Sequence, residues 1–518
     1  MKGQSDNHSP NAQKSAHIAG NRDLANNEES PHQVNMIPDG VIFYLLKYNI
    51  ICISHYANLF IKGRIIMSKH VTITNISQDG IVISALGGEI STQPRTTIEL
   101  YDKRKNMEES KNVSLIEKVI KSGHMSILEH ISLSLLMTNV SVCVEEFFIQ
   151  HRLASFTVKS RRYVDFSNSG YYVPDDLPND EFKKIYKDDM DMLFDTYTKL
   201  LESNIPKEDA RFILPYSFYS NFVVTVNARE LIHIMKRIIT EYENENVTYA
   251  PSISDYVESE LGNIYDEVVS ELKEKLPFLA DVIEKEENSY EPKAYEPKYL
   301  NLHSSFSAIT HPTVDVIDDN SEIRYLALEK VLSENNGISL KDKPVELEFL
   351  NYFITIRNVS MSTITHLLRH RMCSINIKKS GLNKFIYPDS IRSNGSANAL
   401  YVDALKAHKL AIREMIKIDG DKKYTQRPSF NQYLRLSGST TDVHMNMNAG
   451  ELMIFCKLRC CNRAQWEIRM IADSILNQLR TNHEVFMGFG PSCHVLGKCP
   501  EGKMTCGKFE EVTKNYGH

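Results

Sequence analysis

Cysteine is scarce. Nine in 518 residues, odd in number and spread thinly, exclude a disulfide scaffold and fit free thiols in a reducing compartment. An excess of positive charge is missing as well: 60 lysines and arginines face 66 aspartates and glutamates, and a formal charge of −6 leaves no broad basic footprint for nucleic acid. No long apolar run is uninterrupted. The candidate, residues 41–61, contains Lys47, Asn49, His55 and Asn58, and polar or charged side chains are costly inside a bilayer, so a membrane anchor is not expected. No cleavable signal peptide is expected either, and the reading is a cytoplasmic protein. Glycine and proline are sparse, at 22 and 18, and single out no function.

What remains is ordinary globular composition, 42% apolar and 24% charged, carrying an internal repeat. His-Arg-x-x-Ser-x-x-x-Lys occurs at His151–Lys159 and again at His370–Lys378. At the same spacing of 219 residues, Leu128-Glu129 answers Leu347-Glu348, and Asn139-Val140-Ser141 answers Asn358-Val359-Ser360. Further on, Asn227-Ala228-x-Glu230-Leu231 answers Asn448-Ala449-x-Glu451-Leu452 at 221. Four blocks in one order mean a tandem duplication.

The block from Gln150 to Tyr163 packs an imidazole, several guanidiniums, an ammonium and hydroxyls with no carboxylate among them. Dense donors of this kind suit a phosphate or another anion. The plainer alternative is a solvated basic face.

These residues also carry a resemblance. Gly123-His124-Met125-Ser126 upstream, Ser160-Arg161-Arg162-Tyr163 at the end of the first block, Arg369-His370-Arg371 in the second, and Leu458-Arg459 followed by Ala464-Gln465-Trp466-Glu467-Ile468-Arg469 together resemble the flavin-dependent thymidylate synthase family. The similarity spans roughly residues 68–250 and 303–490. It implies an α+β fold, present as two tandem copies of an antiparallel sheet flanked by helices. It also implies an enzyme that binds FAD and makes dTMP from dUMP, with methylenetetrahydrofolate as carbon donor and NADPH as reductant.

By the match, Ser160, Arg162, Arg211 and His366 are expected at dUMP. Arg459 is expected to bind dUMP and act as the catalytic cation facing the uracil ring. His124, Ser126, Asn227, Arg229, His233, Arg369, His370 and Arg371 are expected on the FAD side. Some have a structural alternative: Arg211 could cap its helix or pair with an acidic neighbour, Arg459 could be a helix-surface arginine, His124 and His130 could be buried and hydrogen-bonded, and Ser155 and Ser374 could simply hold the loop. The family's members assemble as tetramers with pockets between subunits, so one composite pocket per fused pair, and self-association of such pairs, are expected.

Departures from the pattern are complementary between the copies. Gln150 replaces the first arginine of Arg-His-Arg in the first, and the second lacks the Ser-x-Arg-Tyr ending. Val158 and Ile377 stand where an acidic residue is usual, Phe147 and His366 where Gln is frequent, and Gly450 where the first copy has Arg229. The missing acidic residue and Gln favour a rival reading, a non-catalytic nucleotide- or flavin-binding protein on the same scaffold, while the retained Arg459 favours the enzyme.

The expected layout is an extension at 1–66 with Met67 as the true start, a first domain at 67–280, an acidic linker at 281–302, a second domain at 303–490 and a cysteine-containing tail at 491–518. Within it, 71–86 reads as strands, 114–121 as a helix closed by Gly123, 131–140 as a strand and 142–151 as the helix delivering the signature loop. Residues 181–202 read as an amphipathic core helix and 219–226 as a strand. The second half repeats the plan with a strand at 352–359, a helix ending at His370, a helix around 399–416 and one long helix from Glu451. In the tail, Cys493, Cys499 and Cys506 lack the tight Cys-x2-Cys pair of a zinc knuckle, so no metal is expected.

Overall fold

The computed structural model describes residues 69–240, 260–288, 307–320, 322–326, 329, 345–378, 382–420 and 424–517. The expected extension at 1–66 and most of the expected linker lie outside them.

The first repeat runs β1 (Val71–Thr74), α1 (Gly80–Glu89), α2 (Thr97–Lys105), α3 (Glu109–Lys121), β2 (Ser132–Ser141), α4 (Val142–Ile149), β3 (Ser155–Val158), α5 (Asp180–Glu202), β4 (Tyr219–Asn227), α6 (Ala228–Thr240), α7 (Glu260–Lys275) and α8 (Pro277–Asn288). The second runs β5 (Ser307–Ile309), β6 (Thr313–Asp318), β7 (Asn351–Ser360), α9 (Met361–Leu367), β8 (Ser374–Ile377), β9 (Lys384–Ile386), α10 (Gly395–Asp419), β10 (Thr440–Asn448), α11 (Ala449–Arg459) and α12 (Trp466–Asn482). The C-terminal segment adds α13 (Ser492–Leu496) and α14 (Phe509–Tyr516).

Each repeat builds one four-stranded antiparallel sheet, ordered β1-β2-β4-β3 and β6-β7-β10-β8. Alternation fixes which face is buried: Phe222, Val224 and Val226 of β4 point into the core while Val223 and Thr225 face outward. The repeated Asn-Val-Ser has a backbone cause. Asn139 and Asn358 take left-handed angles, φ 49° and 57°, where the β2–β4 and β7–β10 registers shift, and asparagine tolerates that region better than most residues. The serine that follows opens the next helix, and its N–H is held by a buried carboxylate, Glu260 for Ser141 at 2.6 Å and Glu467 for Ser360 at 2.7 Å.

The repeats share one core. Helices α5 and α10 pack along each other, and Phe182 meets Phe430 at 5.5 Å between ring centroids, as Tyr172 meets Tyr433 at 5.0 Å. His408 crosses the same seam, bonding Asp189 at 2.7 Å and the Leu434 carbonyl at 2.9 Å. Among the described residues no helix is long and apolar enough to cross a membrane.

Three local expectations change. Residues 80–89 are helical, not strand: Gly80 and Gly88 let α1 lie close to Ile131 and Val119, where an added Cβ would come within 3.2 Å of the Ile131 Cα and 3.1 Å of the Val119 Cγ2. A short apolar run does not distinguish the two states. The terminal helix is two helices, because Gln465 accepts from the Ile468 N–H at 2.9 Å and starts α12 anew. Helix α8 runs to Asn288, into the stretch read as linker, since Val282 and Ile283 are buried.

Candidate functional site

A cavity of about 340 Å³ opens between the repeats. The first repeat contributes the loop after β3, from Val158 to Tyr163, together with Arg211. The second contributes Thr365 and His366 from the end of α9, Arg369 from the turn after it, and the break between α11 and α12. The C-terminal segment supplies the remaining wall. Six expected positions, Ser160, Arg162, Arg211, His366, Arg369 and Arg459, therefore border one space.

The loops are tied across the seam. Arg162 pairs with Glu208 and donates to the Arg463 carbonyl at 2.8 Å. Trp466 donates to Asp209 at 2.8 Å. The two signature loops also clasp each other: Arg152 donates to the Cys373 carbonyl at 3.3 Å and Arg371 to the Ser155 hydroxyl at 3.4 Å.

The cavity floor is rich in buried nitrogen. Arg161 Nη1, Arg211 Nη2, His366 Nε2 and Gln465 Nε2 are all buried without a hydrogen-bond partner in the chain. Buried polar groups are normally satisfied, so four such atoms on one cavity mark it as built for a ligand rich in acceptors. Arg211 does bond back through Nε to the Glu208 carbonyl at 3.0 Å, as the capping alternative required, yet its Nη2 is left without a partner.

Electrostatics reinforce the point. Burial, then the Arg161 charge, brings Arg211 down to about 10. Burial, then Arg369 and Arg162, does the same to Arg459. Burial and the charges of Arg211, Arg459 and Arg369 hold His366 well below its usual value, so its imidazole is neutral. Burial opposes the Arg161 charge, but Glu145, at 2.5 Å, outweighs it. Cations that repel one another are relieved by an anion.

Arg459 is positioned by a chain of bonds. Its Nε donates to His370 Nε2 at 2.9 Å, and His370 Nδ1 donates to Glu451 at 2.9 Å. The first repeat keeps a relic of this arrangement: Arg237, one helical position out of register, reaches His151 Nε2 at 3.1 Å. There Phe147 occupies the position of His366, and the Arg237 guanidinium lies 5.7 Å from its ring centroid.

The remaining FAD-side positions do not border the cavity. His124, Ser126 and His233 are exposed; Arg229 is exposed and pairs with Glu129 at 2.5 Å. Asn227 caps α6 by accepting from the Glu230 N–H at 2.8 Å. His370 is buried behind Arg459, and Arg371 lies on the exposed loop clasp. Among the described residues no three metal-binding side chains are grouped to hold an ion.

No role at the site is expected from the sequence for Arg161, Arg463, Gln465 or the C-terminal wall, whose Cys493, Cys499 and Cys506 are weighed there only as metal ligands. Arg161 and Gln465 were visible inside quoted motifs. The spacing of the tail cysteines gives no sign that the segment folds back over the cavity.

A family model described as thymidylate synthase complementing protein matches residues 76–277 and 341–483. Among similar proteins are flavin-dependent thymidylate synthases from three organisms. That of Geobacter sulfurreducens is 32% identical over 140 residues, 26% of this chain and 60% of that protein. That of Clostridium tetani is 29% identical over 207 residues, 37% and 83% respectively, and that of Saccharolobus solfataricus 31% over 167 residues, 31% and 61%. The chain thus spans less than two thirds of two of these three relatives. A solved UMP/dUMP methylase from Streptomyces cacaoi is 20% identical with a TM-score of 0.33, over 42% of this chain and 95% of that one. Since the family model matches more than half of its length, in two successive stretches, the chain belongs to the thymidylate synthase complementing protein family, that of the flavin-dependent thymidylate synthases, as a tandem pair.

Proposed function

We propose that the chain is a flavin-dependent thymidylate synthase that converts dUMP to dTMP with methylenetetrahydrofolate and NADPH, and that each fused pair forms one working pocket from both repeats. One observation carries this: four buried nitrogens without partners, two from each repeat, border a single cavity. A phosphate dianion satisfies such donors, and guanidiniums bind it through charge-assisted bonds. Ser160, Arg162, Arg211 and His366 bind the nucleotide. Arg459 faces the uracil ring, where a fixed cation stabilises negative charge developing on the base.

His124, Ser126, Asn227, Arg229, His233, Arg369, His370 and Arg371 are the candidate FAD residues. The exposed imidazoles and guanidiniums among them have the donor chemistry that a dinucleotide's diphosphate needs. When bound, the flavin supplies the electrons. Fused pairs associate further through the surfaces their family uses.

The rival, a non-catalytic nucleotide- or flavin-binding protein, is favoured by the missing acidic residue and Gln, and in the structure by the engagement of Arg162 by Glu208 and the Arg463 carbonyl. Titration of the FAD-loaded chain with dUMP separates the readings. Perturbation of the flavin spectrum, saturation at one equivalent per chain and turnover to dTMP support the enzyme. Binding without turnover supports the rival, and a colourless protein that FAD cannot reconstitute rules out both flavin readings.

A further inference from the structure

The C-terminal segment lies beyond the family match, which ends at residue 483, yet it walls the cavity. It is fastened at both ends. Ser492 donates to the Lys457 carbonyl at 3.0 Å, and Tyr516 donates to Asp473 at 2.5 Å while Arg480 holds the Tyr516 carbonyl at 3.1 Å. Between these anchors the chain turns at Gly497 and Gly502, both in the left-handed region at φ 66° and 52°, where a side chain would be strained.

The turns sort the side chains. Lys498, Lys503 and Lys508 are exposed and do not border the cavity, whereas Cys493, Cys499, Met504 and Cys506 do. Cys461, from the break between α11 and α12, joins them on a stretch of lining that mixes Leu458 and Ala464 with Lys457, Asn462 and Arg463. So the buried floor is cationic, and the more exposed C-terminal side presents four sulfur side chains, with Pro500, Val512 and one carboxylate, Glu501, and no cation. Polarizable sulfur makes favourable contacts with aromatic rings. A pocket with an anion-binding floor and a sulfur-lined wall fits a molecule with a phosphate at one end and a flat ring at the other.

We infer that the C-terminal segment is the ring-binding wall: Cys461, Cys499, Met504 and Cys506 pack against the heteroaromatic base of a nucleoside monophosphate whose phosphate lies on the cationic floor. This rests on the nucleotide reading of the pocket and adds to it a recognition surface that the family match does not cover.

The test uses the full chain, with dUMP and 2-deoxyribose 5-phosphate as probes, the second having the phosphate and sugar but no base. Saturating dUMP should slow iodoacetamide alkylation of Cys499, followed by peptide mass spectrometry, about tenfold, and deoxyribose phosphate should change it less than about twofold. Met504→Ala should weaken dUMP about tenfold and leave deoxyribose phosphate unaffected, while Met504→Leu keeps most of the affinity. Equal protection by both probes, or equal loss of both in Met504→Ala, overturns the inference and leaves the nucleotide pocket standing. Failure of both probes to bind overturns the nucleotide reading and the inference with it.

Discussion

Arg459 and His370 form one unit: the guanidinium donates to an imidazole nitrogen whose ring partner is fixed by Glu451. A neutral imidazole, held so by burial, accepts on one side and donates on the other, which sets the arginine's direction. His370→Ala should lower dUMP affinity about tenfold, Arg459→Ala should abolish measurable binding, and the double variant should be no worse than Arg459→Ala alone. Arg237→Ala, in the first repeat's relic, should leave affinity within about twofold. Isothermal titration on folded variants decides; a loss in Arg237→Ala comparable to that in Arg459→Ala would mean both repeats bind.

Both walls should be needed at one site. Ser160→Ala combined with Arg162→Ala, in the first repeat, should abolish dUMP binding just as Arg459→Ala does in the second. Because the seam buries aromatic rings from both repeats, the halves 67–288 and 303–518 made separately should be poorly soluble and bind no nucleotide. Co-refolded, they should regain one dUMP per pair. Full binding by either half alone would count against a composite pocket.

Glu146 gives a pH signature. Burial lifts its carboxyl from 4.5 to about 8, against the pull of the Tyr216 hydroxyl at 2.5 Å. Between those values the folded chain keeps a proton that the unfolded chain has lost, so this group's contribution is full below the lower value and disappears as pH rises through the upper one. Glu146→Gln should therefore flatten the fall of Tm between roughly pH 5 and 8, with the variant gaining on the wild type as pH rises. Parallel melting curves at every pH would refute the assignment.

His408 is wedged between two acceptors, Asp189 and the Leu434 carbonyl, so both ring nitrogens donate and the ring is charged. Burial opposes that charge and Asp189 outweighs it, raising the pKa. Stability from the pair is thus present at low pH and lost as pH rises through the raised value. Asp189→Asn leaves an imidazolium buried beside a neutral amide and should cost about 3 kcal/mol in urea denaturation near pH 6. A change below about 1 kcal/mol would mean that the ring is neutral in the fold.

Much of this was legible in the residues. The duplication, the sheet strands and helices such as α5 follow from periodicity, because burying one face imposes a regular spacing. Six pocket positions were legible because motif chemistry does not depend on knowing the third dimension. Two kinds of feature were not. Helix α1 depends on small residues that matter only once a neighbouring backbone presses on them. The cavity's C-terminal wall depends on a segment folding back onto Lys457 and Asp473, and neither contact leaves a local pattern. The split at Cys460–Gln465 was hidden for a related reason, since Leu458-Arg459 and Ala464-Gln465 read as one register until Gln465 is seen capping its own helix.

Phe147, sitting where the other repeat has His366, has a consequence for how the molecule can change. In a symmetric assembly of identical chains, every substitution appears in each pocket at once, so a change useful on one wall is imposed on its twin. Fusion removes that constraint. With an aromatic plug in one repeat and an imidazole in the other, the two gene segments are free to drift separately, one selected for filling space and the other for chemistry. Substitutions exchanged between residues 219 apart should accordingly have unequal effects, harmless in one direction and ruinous in the other.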